Sequence, residues 1–174
     1  MIGLLRFVGL LNAAIWLGAA ISFTFALGPA FFSNEMKAIL PAPYNGAAAQ
    51  IVIKRYFILL YCCGGIALLH LCLEKLYSGK NFERLTSGAL ALAISLGLLG
   101  GIWLQPKLRD LHLKKYSPRF SQEVRAQADR SFKSWHGVSQ TMNLLIIGGL
   151  LIYFWRSSAP ANTTRFVSAN KFKG

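Results

Sequence analysis

The sequence predicts an all-α fold, a four-span transmembrane helix bundle with an amphipathic interfacial helix before the fourth span. Three observations point there. The chain is 54% hydrophobic and only 14% charged, against about 25% charged in soluble domains. Its mean hydropathy is +0.43 although its net charge is +13, so the charges must be segregated from the apolar runs, as in a membrane protein with basic loops. Those runs are also continuous, whereas a membrane strand would alternate apolar and polar residues.

Charged residues mark the ends of four spans, expected at residues 4–27, 56–76, 85–104 and 135–155. About 20 helical residues cross the roughly 30 Å hydrocarbon core, so each is long enough. The first should stop at Gly28-Pro29 and the third at Gln105-Pro106, since proline ends helices. Ala26-Leu27-Gly28 has the small residues of a signal-peptide cut. The long apolar region and the following Pro29 disfavour cleavage, so the first span is expected to be a retained helix. Tyr56, Phe57, Tyr77, Trp103, Trp135, Tyr153 and Trp155 lie near span ends, as an interfacial belt would. Trp16 alone lies in mid-span.

Packing between spans should come from small residues at four-residue spacing, because lipid is as apolar as leucine. Ala14, Gly18, Ser22 and Ala26 form one such stripe; Ala89, Ala93, Gly97 and Gly101 form another. Either could also serve a homodimer or a membrane-protein partner. The short second loop makes spans two and three antiparallel neighbours. In the first loop Pro41-Ala42-Pro43 and Asn45-Gly46 read as turns. The third loop carries Lys107, Arg109, Lys114, Lys115, Arg119, Arg125, Arg130 and Lys133. In its second half Phe120, Val124, Ala128, Phe132 and Trp135 recur on one helical face. Such a segment belongs beside anionic lipid headgroups. No nucleic-acid-binding fold can be drawn from these segments, so lipid, not nucleic acid, is the expected partner of the basic excess. Residues 157–174 read as a mobile polar tail.

The fourth span is the chemically informative one. His136, Ser139, Gln140 and Asn143 fall at i, i+3, i+4 and i+7, a polar face expected to turn into the bundle. Asn12 and Gln105 are its expected partners. His136 could carry a proton or ligand there, or the face could fix helix register through hydrogen bonds. The second span holds Cys62, Cys63, His70 and Cys72 at spacings unsuited to one metal ion, so no metal site is expected. All six acidic residues lie outside the charge-free runs, Glu74 just past the one from Tyr56 to Leu73. No phosphate loop, nucleophile elbow or carboxylate pair is present, and no catalytic residue is assigned.

Several of these elements together resemble the transmembrane protein 205-like family with its bacterial relatives. They are Trp16-Leu17-Gly18, Gly28-Pro29-Ala30-Phe31-Phe32, Arg55-Tyr56-Phe57, and Trp103-Leu104-Gln105-Pro106. The most specific is Phe132-x-x-Trp135-His136-Gly137-x-Ser139-x-x-x-Asn143-Leu144. Two positions depart: Trp135 stands where Tyr or Leu is commoner, and Lys54 precedes Arg55 where Pro is frequent. The resemblance implies a four-span integral protein of, here, a bacterial cytoplasmic membrane, with Trp16, Gly18, Pro29, Arg55, Gln105, Pro106, Phe132 and His136 as motif positions. It implies no particular reaction.

Two functions follow as expectations. One is a non-enzymatic membrane component, handling lipid or small solutes or serving as an accessory subunit, with no cofactor. The other, by analogy of architecture with small membrane proteins that hold haem or copper, is a redox protein using His136 as a ligand, with or without His70.

Overall fold

A computed structural model describes residues 2–78 and 84–158. The expected polar tail lies outside them from residue 159 onward, as does the middle of the second loop. Every regular element among the described residues is helical: α1 (Ile2–Ser22), α2 (Gly28–Phe31), α3 (Asn34–Ile39), α4 (Tyr44–Ser78), α5 (Arg84–Leu98), α6 (Gln105–Tyr116) and α7 (Gln122–Ser158). Two π-helical segments, Phe23–Leu27 and Leu99–Leu104, join α1 to α2 and α5 to α6.

Four continuous apolar helices are long enough to cross a membrane: Gly3–Phe31, Tyr44–Tyr77, Arg84–Tyr116 and Gln122–Ser158. The protein is therefore a multi-pass, all-helical chain of integral membrane type. Each helix exceeds the roughly 30 Å core. α7, with 37 residues, is about 55 Å long. Its polar residues 122–134, like the charged α6, thus project beyond the apolar stretches.

Two expected stops are read through. The first helix continues past Gly28-Pro29 to Phe31, and the third past Gln105-Pro106 to Tyr116. Proline lacks an N–H, and its ring strikes the carbonyl four residues back. Just ahead of each proline the pairing slips by one residue. The Gly28 N–H bonds the Phe23 carbonyl and the Gln105 N–H bonds the Gly100 carbonyl. The wider π-turn makes room for the ring, so the helix passes on. The second helix begins at Tyr44, well before residue 56, with Asn45-Gly46 inside its first turn. The Pro41–Pro43 turn is present. The amphipathic segment starts at Gln122 and runs into the fourth span without a break. Only from Ala128 onward does its stripe turn inward; Phe120 and Val124 are exposed.

α7 packs against α1, α5 and α6, and α4 packs against α1 and α5. The four spans thus form a ring in the order α1, α4, α5, α7. Gly9 meets His70, Gly97 meets Leu60, Trp103 meets Trp135, and Phe32 meets His136. Neighbours are therefore antiparallel throughout, spans two and three included. Trp16, Leu60, Ala67, Leu90, Ala93, Leu150 and Tyr153 fill the centre.

The two small-residue stripes differ in use. Ala89, Ala93 and Gly97 are buried, and a Cβ added at Gly97 would stand 2.4 Å from Leu60. Ala14, Gly18, Ser22 and Ala26 are all exposed, because α1 turns Ala13, Trp16, Leu17 and Ala20 inward instead. Tyr56 and Tyr153 are buried and do not join the interfacial belt, whereas Tyr77, Trp103 and Trp155 are exposed.

Candidate functional site

The polar residues of the fourth span gather at one end of the bundle. That end is built from the π-segment after α1, the middle of α4, the start of α6 and the middle of α7. Asn143 is the centre of the arrangement. Its Oδ1 accepts the Tyr56 hydroxyl at 2.9 Å. Its Nδ2 donates to Thr24 Oγ1, and Thr24 in turn donates to the Ala20 carbonyl at 2.7 Å. The chain of donors runs one way, from Tyr56 through Asn143 and Thr24 to the backbone of α1. It ties α4 to α7 across the ring and α7 to α1 beside it. The Tyr56 ring also stacks on Phe23, with centroids 4.4 Å apart. The network fastens these helices to one another.

The other members of the expected face are placed differently. His136 and Ser139 are half-buried, while Gln140 is exposed and turns out of the bundle. The His136 ring lies parallel to Phe132 at 5.8 Å and edge-on to Phe32 at 6.1 Å. Phe132 also meets His112, at 6.1 Å, which lies against Tyr116 as well. A Cβ on Gly46 would collide with the His112 ring, so α4 and α6 approach closely there. His112 was not singled out by sequence, because it sits in a basic segment with no apolar context. Burial lowers its pKa, with the nearby Lys115 charge adding to the effect.

The expected partners of the face bond elsewhere. Asn12 donates to the Cys63 carbonyl at 2.9 Å, and Gln105 donates to Gln50 at 3.1 Å. Both are α4 contacts, not α7 ones. His70 is buried, and neither ring nitrogen has a hydrogen-bond partner among the described residues. It packs on Gly9, whereas His136 packs on Phe32. Those contacts lie at opposite ends of the first helix, about 35 Å apart at 1.5 Å per residue. His70 and His136 therefore cannot ligate one cofactor. Among the described residues no three of His, Cys, Asp and Glu cluster to hold a metal ion.

The remaining motif positions are structural neighbours of this end or of the core. Trp16 is fully buried and, like Ile94, lies against Gly64. Gly18, Pro29, Arg55 and Pro106 are exposed. Outside the apolar stretch, Lys107 Nζ sits 3.6 Å over the Trp135 ring and 4.9 Å over Trp103. Trp103 and Trp135 themselves meet edge-on at 5.2 Å. Asp129 bridges α6 and α7, pairing with Lys115 at 2.5 Å and Lys133 at 3.0 Å.

Comparison with known proteins adds a family and no activity. Curated proteins and solved structures give no match. The sequence profile of one family matches residues 11–117, which takes in Thr24 and Tyr56 but stops short of α7 and Asn143. With more than half of its 174 residues matched, the chain belongs to DUF4149, a domain-of-unknown-function family.

Proposed function

We propose that this DUF4149 chain is a non-enzymatic component of a bacterial cytoplasmic membrane, held and oriented by anionic lipid at its basic end. Within its family it stands with the transmembrane protein 205-like proteins, on the strength of the Trp-Leu-Gly, Trp-Leu-Gln-Pro and Trp-His-Gly elements.

One observation carries this reading. Arg109 on α6 and Arg130 on α7 are exposed and have no acidic partner among the described residues. Arg109 stands six residues after Trp103 and Arg130 five before Trp135, rings of the kind that suit a headgroup boundary. Each basic residue near an anionic leaflet contributes about 1 kcal/mol of attraction. The polar network inside the bundle supports the non-enzymatic half of the reading, because its groups bond one another and leave no general acid or base.

The test is lipid analysis of protein extracted in mild detergent. Anionic phospholipid should be enriched over the parent membrane, and neutralising Arg109 and Arg130 together should abolish the enrichment. Co-purified lipid with the bulk composition would contradict the proposal, as would a defined catalytic turnover by the purified chain.

A further inference from the structure

A shallow groove of about 440 Å³ lies on the outer face of α7, lined by Arg130, Ser131, Ser134, Trp135 and Val138. The lining is graded along the helix. Arg130, at the outer end, is exposed and has no acidic partner among the described residues, because the neighbouring Asp129 turns to Lys115 and Lys133. Two hydroxyls follow, then Trp135, with Lys107 Nζ 3.6 Å from its ring centroid. Val138 comes next, and one and two turns deeper the same face continues as Thr141 and Leu145, all exposed.

The geometry points to a discrete binding site for one anionic phospholipid, its phosphate held by Arg130 with Ser131 and Ser134, and an acyl chain lying along Val138 and Leu145. The inference rests on the anionic-lipid reading above and narrows it from a diffuse basic surface to one pocket. Guanidinium and hydroxyl donors suit a phosphodiester, which offers only acceptors. The occupant is a lipid and not free phosphate because the polar end opens onto an apolar track. Trp135 lies at the join, where an amphipathic ring belongs. Inorganic phosphate would leave that track unused.

Native mass spectrometry of the full chain in detergent tests the site, with phosphatidylglycerol or phosphatidylcholine added in separate arms. Phosphatidylglycerol should be retained in preference. Arg130→Gln should lower its relative affinity about five-fold. Arg119→Gln, an equal charge loss in the same loop but outside the groove, should leave that preference nearly unchanged. Ser134→Val, which removes a hydroxyl and no charge, should also weaken retention. Equal effects of Arg130→Gln and Arg119→Gln would overturn the site while leaving the diffuse reading standing. No preference in the unaltered chain would overturn both. Displacement of the lipid by millimolar inorganic phosphate would overturn the lipid assignment in favour of a simple anion site.

Discussion

Asn143 accepts the Tyr56 hydroxyl at 2.9 Å, joining two helices that stand diagonally across the ring and lie 87 residues apart in the chain. In water such a bond would compete with solvent. Inside a bilayer each group unbonded would face hydrocarbon, so the pair specifies how α4 and α7 are turned about their axes. With the Thr24 bond added, one amide side chain sets the mutual rotation of three helices.

The coupling is measurable. Asn143→Leu should destabilise the bundle by about 1–3 kcal/mol, since interhelical hydrogen bonds in membranes average ~0.6 and reach ~1.7 kcal/mol each. Tyr56→Phe removes one bond and should cost less. The double variant should be less destabilised than the sum of the two, by about 0.6–1.7 kcal/mol, in a thermal or denaturant unfolding cycle in detergent. Strict additivity would mean that the two side chains do not bond.

Glycines with and without neighbours give a second contrast. A Cβ on Gly9 would fall 2.3 Å from His70 Nε2, and the ring is buried with little room to withdraw. Gly9→Ala should cost about 1–3 kcal/mol through overpacking, and His70→Ala in the same chain should recover much of that loss. A Cβ on Gly18 meets nothing within 4 Å. Gly18→Ala should leave the melting temperature unchanged or slightly raised, although Gly18 belongs to the small-residue stripe that reads as a packing face in the sequence.

These contrasts show where the sequence is informative. The four spans are legible because a charge-free run has one inexpensive environment. The ends of the helices are not, because hydropathy registers the bilayer and α4 and α7 extend beyond it. Gly28-Pro29 and Gln105-Pro106 misled for a different reason: proline forbids pairing four residues back, and a π-turn changes the pairing instead of ending the helix. Asn143 stands out as an amide amid apolar residues. Its partners do not, since Thr24 and Tyr56 come near it only through the register of helices distant in sequence. Likewise, which of two small-residue stripes is buried depends on which way α1 is turned, and Trp16 decides that by filling the core.

Acid should loosen the α6–α7 end. Hydrogen bonding to Lys115, then to Lys133, holds the Asp129 pKa below its ordinary value. A carboxyl lowered in the folded state contributes stability that is present above the unfolded pKa of about 3.9 and is lost as pH falls through the lower native value. Melting temperature should therefore decline across that acidic window. Asp129→Asn should lower it somewhat at neutral pH and flatten the acidic decline. An unchanged decline in that variant would remove Asp129 from the account.

Whether the four apolar helices are embedded in a bilayer is tested most directly by membrane fractionation. Cell membranes carrying the full chain are washed at alkaline pH without detergent and sedimented at high speed. The chain should stay wholly in the pellet and be released only by detergent, as a folded helical species. Recovery in the wash or in the detergent-free supernatant as a folded, monodisperse protein would contradict the account.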